Sequence, residues 1–267
     1  VNLVTMISLM VREIVKKGLC FQLTLLIIMA VLIYISYYLG KRGKVWEIRP
    51  LEGLEAIYEG IGRCAEMGRP VVVIPGISSL GNAQTLAGLS ILGEVANRAA
   101  EIGVTPLTTA TNTGVIMVCE AIMRSAFTSA GKPELYEPGK YVRWFGSGQF
   151  SYAVGASGMI LKEKPAMLIQ VGYFIAEIPA VAESGARVGA LQIGGTLSSM
   201  DLIAMFCDYI FIGEEIFAAA AAITRDPLTI ATIAGQDWIR LLVLGMMVIG
   251  VILMAAGSHL ILDLLWM

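Results

Sequence analysis

Two glycine-rich stretches carry most of the side chains that could do chemistry. The first, PGISSLGNAQT, runs from Pro75 to Thr85 and holds Gly76, Ser78, Ser79, Gly81, Asn82 and Thr85. Backbone N–H groups at a helix N-terminus attract anions, and glycine lets the backbone approach a ligand closely. The stretch could therefore cradle a phosphate. It matches neither G-x-G-x-x-G nor the P-loop, whose lysine it lacks. The competing reading is a turn with Asn82 as a helix cap. The second stretch, GGTLSS, offers Gly194, Gly195, Thr196 and Ser198 after the apolar run ALQI. Ser198 or Ser199 could equally cap the helix that follows, and Asp201 suits its first turn. Ligands of parallel sheets bind beyond the carboxyl ends of the strands. Both stretches follow strands, so they could share one edge of one sheet.

Carboxylates form a third candidate. Asp208, Glu214 and Glu215 could ligate Mg²⁺ beside a bound phosphate. The plainer account is that Glu214 and Glu215 open a helix whose dipole favours them. Glu177 and Glu183 lie in an apolar stretch, where a buried carboxylate needs a partner such as Arg187. Other chemistry is excluded by count. The sole histidine, His259, lies at the end of an apolar run, so no Ser-His-Asp triad, Cys-His pair or multi-histidine metal site can be built in the domain. Cys20, Cys64, Cys119 and Cys207 form no CxxC pair, which argues against zinc or a disulfide framework. No serine occupies a G-x-S-x-G elbow. No metal is assigned, and no catalytic residue or cofactor is specified.

The elements that position these stretches alternate along the chain. Pro50 suits the first turn of a helix, and Leu51, Leu54, Ile57, Ile61 and Ala65 continue it at helical spacing up to Gly68. Strand VVVIP, helix 83–102 and strand VTPLTTA follow; Pro106 demotes that last strand toward a sheet edge. Then come helix 114–130, the loop KPELYEPGK, a short strand YVRWFG, helix 149–162, strand AMLIQVG and a helix over 174–187 broken by Pro179. Strand ALQIGG, helix 198–207, strand YIFIG and helix EEIFAAAAAI complete the series, and Gly235 and Asp237 close the domain. About six βα steps predict an α/β fold with a mainly parallel, Rossmann-like sheet and helices on both faces. Continuous Val/Ile/Leu runs fit strands buried on both sides.

Two apolar runs flank this domain. Leu19 to Leu39 has 21 residues without charge, enough to span roughly 30 Å of hydrocarbon. Leu241 to Leu262 is also free of Asp, Glu, Lys and Arg, with Trp238 and Trp266 as interface anchors. Its Gly245, Gly250 and Gly257 could permit close helix contact. The expected organisation is an amphipathic segment 1–18, a membrane helix 19–39, a cytoplasmic α/β domain 45–239 and a membrane helix 241–262. Lys41, Arg42, Lys44 and Arg49 after the first run, and Arg240 before the second, favour the cytoplasmic side; Arg12, Lys16 and Lys17 argue the other way. Residues 45–239 carry 12 Lys and Arg against 19 Asp and Glu, a net of −7, so nucleic acid is not an expected partner.

The stretches GRCAEMGRPVVVIPG, QTLAGLSILGEVANRAAEIG, ALQIGGT and CDYIFIGEEIFAAAAAIT resemble a family of bacterial and archaeal membrane proteins defined only as a domain of unknown function. The resemblance covers roughly Trp46 to Asp237. It implies a membrane-associated α/β domain and brings no catalytic residues. The helices are apolar on more than one face, which suggests burial between subunits. The leading expectation is thus a self-associating scaffold at the cell membrane, a homo-oligomer in contact with lipids that uses helices 83–102 and 214–224. The alternative is a membrane-tethered domain that binds a nucleotide or another phosphorylated small molecule, as sensor or enzyme.

Overall fold

A computed structural model describes residues 20–42, 50–225 and 227–255. Among these are nine α-helices: α1 (Cys20–Lys41), α2 (Glu52–Met67), α3 (Ala83–Ile102), α4 (Thr113–Ser129), α5 (Gln149–Glu163), α6 (Ile178–Arg187), α7 (Met200–Phe206), α8 (Glu215–Thr224) and α9 (Pro227–Ala255). Six strands accompany them: β1 (Val71–Gly76), β2 (Pro106–Thr109), β3 (Val142–Arg143), β4 (Met167–Tyr173), β5 (Leu191–Thr196) and β6 (Tyr209–Ile212). The chain divides into two compact units. One is Arg49–Arg225, and the other joins Val1–Ile48 to Asp226–Met267.

In the Arg49–Arg225 unit all six strands form one parallel sheet in the order β3-β2-β1-β4-β5-β6. Alternation along each strand sends side chains to opposite faces. Val72, Ile74, Leu107 and Leu168 pack with Tyr152 and Ile160 of α5, Val181 of α6 and Ile203 of α7. Helices α2, α3, α4 and α8 cover the other face. There Met167 presses on Gly60, and Phe211 approaches to 2.7 Å of where a Cβ on Gly53 would stand. The α/β fold with helices on both faces is therefore present.

Three proline expectations need correction. Strand β2 lies between β1 and β3, inside the sheet. Pro106 is tolerated because it is the first strand residue, and β3 pairs only further on, at Thr108 and Thr109. Pro179 does not break a helix: α6 starts at Ile178, so the proline sits in its first turn, where the missing N–H costs nothing. Pro50 lies just outside α2, whose cap position is Leu51.

The apolar character of α3 also has an internal cause. It lies between α4 and α8 and over the sheet, so three sides are covered. Its exposed positions carry Asn97, Arg98 and Glu101, together with Leu86 and Ile102. Helix α8 exposes no residue before Thr224. Helix α8 therefore presents no exposed apolar stripe, and α3 exposes its apolar residues only near its two ends.

In the other unit, α1 and α9 pack as an antiparallel pair, and both are long and apolar enough to cross a membrane. The contact uses small residues four apart on each helix. Gly40 faces Ala231, while a Cβ on Gly235 would stand 3.1 Å from the Ile33 Cα and 3.3 Å from the Ser36 Cβ. Such residues let helix backbones approach closely. Gly235 and Asp237 thus lie within α9 rather than closing the preceding domain, and a Cβ on Gly245 would meet none of the described residues within 4 Å. The expected amphipathic segment 1–18, Gly257, His259 and Trp266 fall outside the described residues.

Candidate functional site

The strand order reverses direction between β1 and β4, so the crevice beyond their carboxyl ends is the natural ligand position of this sheet. The two strands close on one another there. Gly76 has φ +100°, and a Cβ on it would stand 2.5 Å from the Tyr173 carbonyl oxygen. Gly172, at φ +154°, abuts the backbone of Pro75 in the same way. Gly76 is therefore demanded by strand-to-strand approach, and Gly76→Val would strain the fold itself. From Gly76 the chain turns through half-buried Ser78 and exposed Ser79 and Gly81 into α3. Asn82 caps that helix, its Oδ1 accepting from the Gln84 N–H at 2.9 Å. Thr85 is fully buried, and its hydroxyl has no partner among the described residues.

The second stretch splits into two roles. Gly194 and Gly195 lie within β5 and make room for packing. A Cβ on Gly194 would meet Ile203 and stand 2.6 Å from the Cys207 Sγ, and one on Gly195 would stand 2.7 Å from Ile216. They face helices α7 and α8, not an open crevice. Thr196 belongs to the site. Its hydroxyl donates to the Gln84 Oε1 at 3.2 Å, and the Leu197 N–H donates to the same oxygen at 2.8 Å. Gln84 thereby ties the loop after β5 to the start of α3, and the two sequence candidates do share one edge. The Ser198 N–H reaches the Thr196 Oγ1 at 3.4 Å. Ser199 precedes α7 without making a cap bond; its hydroxyl donates to the Phe174 carbonyl at 3.4 Å.

Several residues that sequence reasoning missed complete the edge. The Thr111 hydroxyl donates to the Ile77 carbonyl at 2.7 Å, and the Trp144 indole N–H donates to the Thr111 carbonyl at 3.1 Å. Asn112 caps α4, accepting from Gly114 N–H at 2.9 Å and Val115 N–H at 3.4 Å. The available signal was an Asn immediately ahead of an apolar helical pattern. Glu177 is 2% exposed and takes hydrogen bonds from Gln149 Nε2 at 2.7 Å and Ile175 N–H at 3.0 Å. Its partner is thus an amide, whereas Arg187 pairs with Glu183 at 2.6 Å on the surface. Burial, reinforced by the Glu177 charge, pushes the Tyr152 phenol far above its ordinary value, so it stays protonated and donates to the Thr109 carbonyl.

The acidic set does not converge on one point. Asp208 precedes β6 and accepts from the Gln192 N–H at 2.8 Å, while Glu215 follows the strand and accepts from the Ile212 N–H at 2.8 Å. Glu214 takes the position before α8. The stretches 77–84, 110–115, 144–151, 174–178 and 197–201 contain no Lys or Arg. An acceptor or anion at this edge would meet neutral donors and two helix N-termini, those of α3 and α4, rather than a cationic side chain.

A family model described as "Domain of unknown function (DUF6754)" matches residues 11–265. No curated protein matches the chain, and no solved structure does. The chain belongs to the DUF6754 family, and the match extends across both apolar helices as well as the sheet.

Proposed function

We propose that this DUF6754 member is a membrane-tethered binding domain whose site is the crevice at the carboxyl ends of β1 and β4. One observation carries the reading. The loops after β1, β2, β4 and β5 are bound to one another by side-chain hydrogen bonds through Thr111, Gln84 and Ser199. Such bonds hold the loops in place before a ligand arrives, which lowers the ordering cost of binding. Helices α1 and α9 serve as the membrane tether, and the basic residues after α1 support a cytoplasmic side for the domain. The test is native mass spectrometry of the full chain in lipid nanodiscs, expected to give an adduct that Gln84→Ala removes. An adduct that survives Gln84→Ala, Thr111→Val and Ser199→Ala together would overturn the placement.

A second reading, self-association of the domain, has support from one surface. On α5, Phe150 is 80% and Val154 74% exposed, four residues apart, with exposed Leu161 on the same side. Water disfavours such a stripe by about 25 cal/mol per Å². Covering it with a second copy would make α5, not α3 or α8, the scaffold face. Mass photometry of solubilised chain should then show dimers that Val154→Glu converts to monomers; a monomer before substitution removes this reading.

A further inference from the structure

Resting on the site proposed above, we infer that its ligand is an amphiphile with a carboxylate head, held by three side-chain amides acting purely as donors. The argument starts from what the fold asks of those amides. Asn82 gives its Oδ1 to the Gln84 N–H, and Asn112 gives its Oδ1 to the N–H groups of Gly114 and Val115. Gln84 gives its Oε1 to the Thr196 hydroxyl and the Leu197 N–H. Backbone donors fix which end of each amide is oxygen. The three NH₂ groups meet no acceptor among the described residues.

An acid would serve the fold as well at each position. Asp caps helices as effectively as Asn, and the helix dipole favours a carboxylate there. The amide nitrogen is the part of each side chain that the fold leaves unused. An independent observation points the same way. Thr85 lies one helical turn before Gly88, and Gly88 abuts the Val171 carbonyl and Pro75. Thr85 shares that side of α3, and its fully buried hydroxyl has no partner among the described residues. Thr111 and Leu80 hold the Asn112 loop against the Asn82 loop, the hydroxyl at 2.7 Å from the Ile77 carbonyl and Leu80 at 3.7 Å from the Gly114 Cβ direction.

Head and body of the ligand follow from the lining. Neutral amide donors can take a single negative charge, whereas a phosphate dianion would meet no Lys or Arg in these stretches and would face the carboxylates of Glu177 and Asp201. Leu80, Ile175 and Leu197 are exposed on the loops around these donors and suit an apolar body.

The experiment uses full-length chain in nanodiscs with diazirine-bearing fatty acid, the matching alkyl phosphate and the matching alkyl amine, labelled sites being mapped by peptide mass spectrometry. The fatty acid should label loops 77–82 and 174–178 with the amine silent. The combined variant Asn82→Asp, Gln84→Glu, Asn112→Asp keeps every oxygen acceptor, so it should fold normally and label about tenfold less or worse. Stronger labelling by the phosphate overturns the carboxylate assignment while leaving the site in place. Undiminished labelling of a folded variant overturns the donor role. Silence of all three probes at this edge overturns the site as well.

Discussion

Single residues here divide into those that hold the fold and those it leaves over. Arg69 belongs to the first group. Its guanidinium donates to the carbonyls of Lys164 at 2.6 Å, Pro165 at 2.9 Å and Val188 at 2.7 Å, gathering three chain segments at the edge opposite the crevice. Charge-assisted bonds of this kind are strong, so Arg69→Ala should cost about 2–3 kcal/mol in urea unfolding, and Arg69→Lys should recover only part of it. Cys64 and Cys119 are fully buried, and burial pushes their thiols up to about 11 and about 12. A thiolate is the reactive form, so both should resist iodoacetamide at pH 8 until the chain unfolds. The folded values lie above the ordinary 9.0, so the folded state holds these protons more tightly. Stability from this source is intact below pH 9.0 and declines as pH rises toward about 11 and about 12, which chemical unfolding across that range would show. At this scale the sequence revealed Asn82 as a cap but not Gln84 as a latch. Its oxygen meets Thr196 and Leu197 more than a hundred positions away, and no local pattern encodes such a contact.

At the scale of elements, strands and helices were legible because periodicity and punctuation agree. Gly68 and Gly103 end α2 and α3 where the hydrophobic pattern stops. What escaped depends on neighbours. Pro106 suggested an edge strand, yet the partner strand β3 pairs only beyond it. The apolar flanks of α3 suggested a subunit interface, yet α4 and α8 cover them. The glycines after ALQI suggested a ligand loop, yet they admit Ile203 and Ile216. Gly235 suggested a boundary and proved to be a helix contact. Gly235→Leu should therefore separate α9 from α1. Disulfide crosslinking between Gly40→Cys and Ala231→Cys, which face each other across the pair, should fall sharply with Leu at 235. Equal crosslinking would mean the helices do not meet there.

For the whole molecule, two long apolar helices and an α/β unit fit a protein tethered to a membrane at both ends of the domain. The basic residues Lys41, Arg42, Lys44 and Arg49 next to the first helix favour a cytoplasmic domain. Protease added to sealed, right-side-out cells should then spare it, and digestion there would reverse the orientation. The pairing of α1 with α9 also bears on depth. Gly40 opposite Ala231 and Ser36 beside Gly235 set an antiparallel register that brings Asp237 and Arg240 level with about Tyr34 and Val31. Asp237 and Arg240 pair at 3.5 Å. Charges of this kind stay out of the bilayer centre, at a cost of about 2.5–3.5 kcal/mol each if they entered it. If α9 enters the bilayer near Leu241, this register would bring the stretch of α1 that follows Val31 to the level of the headgroups. Tyr34, Tyr37 and Tyr38 would then stand among the lipid headgroups. A polarity-sensitive fluorophore attached at residue 38 should report a wet, quencher-accessible setting, and one at residue 26 a dry one.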